Sequence, residues 1–230
     1  MAAPKLEDLL RVDDPAWPAL RGWLSEATNP NSLWTTPRPR GEAALLALEV
    51  SAQTTLGAMA LYTAGVGLDK GWLRLLGAGG PPLGEGLPEW NGLLGGARAI
   101  GGALIVATDV LGGFYAVNAG IFGDSIGTVF FRSPRTGRWA QLGLGYTHFL
   151  RSVLNAPLDE FYKDLRWKGW DREVQALGPD QGLCVYPYLW DQPDLSGKGG
   201  LAHRRREVVP MRVLWELVTD AARPPEPAEG

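Results

Sequence analysis

The sequence predicts an α+β fold: a mainly antiparallel mixed sheet with helices packed around it. Two observations carry that expectation. From Ala103 onward, the runs "ALIVATD", "FYAVNAG", "GTVFFRS" and "RWAQLGL" are rich in β-branched and aromatic residues and are separated by clusters of glycine, asparagine, serine and proline. Connections this short favour consecutive antiparallel pairing. On both sides of this block, apolar residues recur at the spacing of amphipathic helices.

Taken in order, Asp14 and Pro15 read as the N-cap and first residue of a helix through "PAWPALRGWLSEA", with Trp17, Leu20 and Leu24 on its apolar side. "TNPNSLWTTPRPRGE" has no period and reads as a loop, its Trp34 packing back onto the body. "EAALLALEV" is rich in helix formers, although its short apolar run also suits a buried strand. "TTLGAMALYTAGVGLDKG" reads as a buried helix stopped near Gly65. "GWLRLLG" has strand character, "AGGPPLGEGLPEWN" is a linker, and "GLLGGARAIGG" carries no periodic signal.

"SPRTGR" is a hairpin loop, because Pro134 suits an early turn position and Gly137 permits positive φ. "GYTHFLRSVLN" follows as a helix with Thr147 as N-cap and Phe149, Leu150, Val153 and Leu154 laid on the sheet. "PLDEFYKDLRW" adds a helical turn or two, and "GWDREVQAL" a further helix ended by Gly178 and Pro179. "GLCVYPYLW" returns to strand character, with Pro187 placing it at an edge. "DQPDLSGKGGLAHRRREV" reads as a mobile polar loop, and Pro210 opens a helix with Val213, Leu214, Leu217 and Val218 inward. Residues 1–222 are expected to form one domain, and 223–230, "RPPEPAEG", a disordered tail.

The chain of 230 residues is 45% hydrophobic and 20% charged, which supplies a core and places it away from the disordered regime. Its 22 basic and 25 acidic residues give a formal charge of -3, so no general field draws nucleic acid or an anionic membrane. No apolar run approaches a signal-peptide core or the roughly 20 residues of a membrane span, and a cytoplasmic location is expected. Cys184 stands alone among apolar neighbours, which predicts a buried, inert thiol and excludes an internal disulfide.

Chemistry is thinly signalled. "GAGGPPLGEG" has the glycines of a phosphate loop, but its two prolines lack N–H donors. His148 and His203 are far apart and there is one cysteine, so neither a metal nor another cofactor is expected. No glycine-flanked serine elbow occurs, and "HRRRE" is a short basic block that reads as a solvated face. His148 suits a general base by its ordinary pKa, and equally suits an exposed helix position. Trp167 and Trp170 could form a platform for a sugar or base, or support a helix turn. The stretch "DVLGGFYAVNAG" poses the same choice. Gly112 and Gly113 supply a turn that Asp109 can hydrogen-bond, and Asp109 with Asn118 could instead face one groove and hold a polar group.

The series "LYTAGVGL", "WLRLLG", "LPEWN", "ALIVATDVLGGFYAVNAG" and "GTVFFRSPRTGRWAQLGLGYTHFL" resembles the SUKH superfamily over about residues 55–154. With "FYKDLRWKGW" and "DQGLCVYPYLW" included, most of the chain is similar to a bacterial family catalogued as a domain of unknown function, family 2625. The SUKH resemblance implies an α+β fold and no catalytic residue, since many such proteins bind and neutralise polymorphic toxins and others act as cytoplasmic scaffolds. It does not address the long C-terminal portion. The leading expectation is therefore a non-enzymatic cytoplasmic protein-binding domain with a protein partner, and the resemblance suggests an immunity protein that neutralises a polymorphic toxin as one form of that role. The small negative charge suits a basic partner. The alternative is a small-molecule-binding protein or enzyme with a pocket beside the 109–120 turn, using Asp109, Asn118 and either His148 or Asp180. A structural subunit with an extensive apolar patch is the third. The candidate binding residues are Asp109, Gly112, Gly113, Asn118, His148, Trp167, Trp170 and Asp180.

Overall fold

A computed structural model describes residues 4–97, 99–192, 194–195 and 200–220. The predicted strand block forms the last four strands of a seven-stranded sheet whose strands lie in chain order: β1 (Asn31–Thr35), β2 (Thr63–Leu68), β3 (Leu73–Leu76), β4 (Ala103–Asp109), β5 (Phe114–Asn118), β6 (Thr128–Arg132) and β7 (Trp139–Gly145). Each neighbouring pair is antiparallel, so the parallel pair that a mixed sheet would contain does not occur among the described residues. The fold is α+β as expected. β2 and β3 are buried along their whole length, which explains why their sequences are apolar without alternation.

Two strand assignments differ from the sequence expectation. β1 lies in the stretch that reads as a loop; it is sustained by tertiary contact, with the Trp34 indole lying over Gly65 and Gly67 of β2. Those glycines are therefore mid-strand positions cleared for an aromatic ring, and they do not stop a helix. Helix α4 (Thr55–Tyr62) ends earlier, after the Thr54 side chain has accepted from Gly57 N–H at its start. The "SPRTGR" hairpin is as expected: Ser133 N–H donates to the Arg138 carbonyl, and Gly137 has φ +63°.

The helices α1 (Leu6–Leu10), α2 (Trp17–Glu26), α3 (Arg38–Leu48), α4 and α6 (Tyr146–Asn155) accompany the sheet. α2 starts two residues after Pro15, with Pro18 in its first turn. α6 buries the expected Phe149, Leu150, Val153 and Leu154, but its N-cap is Gly145; the Thr147 hydroxyl bonds that of Thr55 instead, at 2.9 Å. Within the expected linker, α5 (Leu87–Trp90) forms because the Glu89 carboxylate accepts from Gly86 N–H at 2.9 Å. After α6 come α7 (Leu158–Phe161), a 3₁₀ turn at Lys163–Leu165, and α8 (Trp170–Gln175), which ends before Gly178.

The C-terminal part is a two-stranded sheet of β8 (Gln181–Tyr186) and β9 (Arg205–Pro210), followed by α9 (Met211–Asp220). The arginines of "HRRRE" thus lie largely in a strand and not in a loop, because β8 supplies the pairing partner. Residues 193 and 196–199 of the expected loop and the whole of the expected tail lie outside the described residues. α9 is rotated from the predicted stripe: Met211, Leu214, Trp215 and Val218 are buried, and Val213 is exposed. Trp215 sets that rotation by seating edge-on against Phe114, with centroids 4.8 Å apart. Cys184 is half-buried and not fully enclosed. Leu183, Leu214 and Val218 belong to the same apolar core as Leu75, Val106 and Phe114 of the large sheet. No helix among the described residues is long and apolar enough to cross a membrane.

Because that core is shared, Leu214→Ala is expected to destabilise the protein by about 2–5 kcal/mol. In urea, tryptophan fluorescence and far-ultraviolet dichroism should shift together as one transition. A separate early transition for the C-terminal part would contradict the shared core.

Candidate functional site

The turn after β4 is built around one carboxylate. Asp109 Oδ1 accepts hydrogen bonds from Leu111 N–H at 3.0 Å and Gly113 N–H at 2.8 Å. The backbone closes the same loop, with Asp109 N–H donating to Gly113 O at 2.8 Å and Gly112 N–H to Asp109 O at 3.2 Å. The two glycines have different reasons to be there. Gly112 has φ +84°, whereas a Cβ on Gly113 would overlap Asp109 Oδ2.

The turn is also where the C-terminal part docks. Leu183 N–H of β8 donates to Val110 O at 2.7 Å, and Leu214 and Val218 of α9 pack over Gly112. Arg74 of β3 reaches across to donate to the carbonyl of Gln181, and Arg132 of β6 donates to the carbonyl of Val218. Asp109 is wholly buried, and Arg74 nearly so. Burial pushes the Asp109 carboxyl up to about 6, against the N–H groups of Gly113 and Leu111 and the charge of Arg74, which favour the ionised form. Burial likewise lowers Arg74 to about 10, opposed by the charges of Asp109 and Asp180, so it remains a cation at neutral pH. Beside the carboxyl, the Tyr115 and Tyr162 hydroxyls bond each other at 2.7 Å, and burial raises both pKa values well above the ordinary phenol range. A carboxyl near 6 has the proton affinity of a general base, but this one is enclosed and committed to its turn.

The other candidates are dispersed. Asn118 pairs with Ala103 at the opposite end of β4, about 20 Å along the strand from Asp109, so the two do not share a groove. Its Oδ1 accepts from Gly120 and Phe122 N–H, and its Nδ2 donates to Gly123 O. His148 is exposed on the first turn of α6. Trp167 is buried, its Nε1 donating to Glu173 at 2.9 Å and its ring covered by the Arg206 guanidinium at 4.3 Å. Trp170 stands edge-on to Trp72 under Arg166, which is paired with Asp69 and Asp159. Asp180 is exposed and lines a recess of about 200 Å³ with Leu76, Leu83, Glu85, Trp90 and Arg212.

Two features escaped sequence reasoning. Arg74 was legible in principle: a single charge inside "WLRLL" needs a buried counter-charge. The other gave no local signal. Beside β7, the last strand of the sheet, Tyr115, Leu142, Leu144, Phe149, Leu158 and Phe161 line an apolar groove of about 160 Å³, and Phe161 at its rim is 52% exposed.

The geometry defines an antiparallel α+β protein whose buried charges lock a structural turn to a C-terminal layer. The chain belongs to the family described as protein of unknown function DUF2625, whose model matches residues 6–214. It is 33% identical over 215 residues to the uncharacterized protein YbfG of Escherichia coli (strain K12), covering 93% of this chain and 94% of that one. It is 33% identical over 188 residues to an uncharacterized protein of Haemophilus influenzae, covering 80% and 82%. A stretch of 93 residues, 39% of this chain and 10% of the other, is 39% identical to ubiquitin-like modifier-activating enzyme 7 of Mus musculus. No solved structure matches the chain significantly.

The Asp109 carboxyl makes stability depend on pH with a defined sign. Its folded pKa of about 6 lies above the ordinary 3.8, so the folded state binds the proton more tightly. The resulting stabilisation is complete below pH 3.8 and is lost as pH rises through 6, a change of about 3 kcal/mol. The difference in urea unfolding free energy between wild type and Asp109→Asn should therefore move by about that amount between pH 3.5 and pH 8. A pH-independent difference would contradict the assignment.

Proposed function

We propose that the protein is a non-enzymatic, cytoplasmic protein-binding module of SUKH type, with neutralisation of a toxin as the particular role the resemblance suggests. One observation carries this reading: Phe161 stands half exposed at the rim of the apolar groove beside the open edge of β7. An extended segment of a partner could pair its backbone with that edge and lay an apolar side chain beside Phe161, the arrangement by which edge strands recruit peptides. Gly143, with φ +71°, and the adjacent register shift confine regular pairing to the first residues of the strand. The internal use of Asp109 and Asn118 supports the same reading, because Asp109 Oδ1 and the Asn118 side chain spend their hydrogen bonds on their own turns.

A photo-crosslinking residue at position 161, introduced in cells of the source organism, should give a discrete protein adduct that the same residue at position 5 does not. Phe161→Asp should weaken capture of that protein by about thirtyfold, as loss of an interface anchor does, with near-ultraviolet dichroism unchanged. Equal adducts at both positions, together with turnover of a small substrate by the purified protein, would sink the reading.

A further inference from the structure

The opposite face of the sheet carries a different feature. Phe114 turns toward Trp90 and Trp215, while its neighbour Tyr115 faces the β7 groove, so the recess beside Trp90 is a separate place. Leu76, Leu83, Trp90, Pro210 and Met211 give it apolar walls, and its volume of about 200 Å³ suits a ligand of a few heavy atoms or one long side chain. Its polar groups are unequal in what they have left to offer. Arg212 donates twice to Glu85, at 2.7 and 3.0 Å, and also to the carbonyls of Ala97 and Glu89, while its plane stacks on Trp90 at 3.9 Å. That cation is fully engaged and acts as wall.

Asp180 is the contrast. Its carbonyl caps α9 by accepting from Met211 N–H, but its exposed carboxylate makes no side-chain hydrogen bond among the described residues. Arg74 is coupled to it electrostatically, while donating its own hydrogen bonds to the carbonyls of Gly71 and Gln181. An apolar pit whose mouth carries a carboxylate with no side-chain hydrogen bond, and whose only lining cation among the described residues is sequestered, is complementary to a positive group on an apolar stem. We propose that this recess binds a small alkylammonium group, with the stem against Leu83, Trp90 and Met211 and the ammonium on Asp180. The inference stands apart from the protein-binding reading, since it uses the other face of the sheet.

The test is titration of the ¹⁵N-labelled protein with pentylammonium, with 1-pentanol as the uncharged control and Nα-acetyl-lysine amide as the form a partner's side chain would present. Pentylammonium should shift the Trp90 indole N–H, identified by its loss in Trp90→Phe, and bind about tenfold more tightly than pentanol. Asp180→Asn, at an exposed position, should abolish that preference without altering the rest of the spectrum. Equal binding of pentanol, an unaffected Trp90 signal, or an unchanged preference in Asp180→Asn would overturn the proposal. Binding of the blocked lysine as well as the free amine would assign the recess to a partner's lysine; binding of the free amine alone would assign it to a small amine. None of these results bears on crosslinking at position 161.

Discussion

A carboxyl group with no access to water has to find its hydrogen bonds inside the protein, and Asp109 finds two for Oδ1 in the N–H groups that its own turn presents, while Oδ2 is buried without a partner. That requirement fixes the path of residues 110–113. It demands a glycine with positive φ at 112 and a residue without a side chain at 113, and it draws a compensating guanidinium, Arg74, into the fully buried strand β3. The turn in turn gives β8 a carbonyl to bond and α9 a bare glycine surface to pack on. The join between the large sheet and the C-terminal layer is thus organised around one acid, and Arg74 spans it.

This arrangement places the protein's exposed chemistry elsewhere. Two of the open features lie away from the turn: the edge of β7 with its apolar groove, and the recess that Arg212 and Asp180 border. Both are small. One suits an apolar side chain, and the other a charged group on a short stem.

Much of the fold was legible where its causes are local. β4 to β7 follow from strand-forming residues and turn signals within a few positions, and Pro134 and Gly137 set their hairpin without help from the rest of the chain. The apolar face of α6 was legible for the same reason. β1 was not, because "NSLWT" becomes a strand only when Trp34 lies over the glycines of β2. β9 needed β8, and the rotation of α9 needed Phe114 to receive Trp215. In the candidate site, the turn chemistry of Asp109, Gly112 and Gly113 could be read from the residues themselves. Its burial, its partner Arg74 and the distance to Asn118 depend on sheet register, as do the exposure of Phe161 and the engagement of Arg212, and a linear sequence does not display them.

The most direct test is amide hydrogen exchange in Asp109→Ala. If the carboxylate holds the turn and the turn holds the C-terminal layer, protection should fall together at Leu111 and Gly113, whose donors lose their acceptor, and at Leu183 and the amides of α9, while the β6–β7 hairpin stays protected. Loss confined to Leu111 and Gly113, with β8 and α9 as protected as in the wild type, would contradict the account.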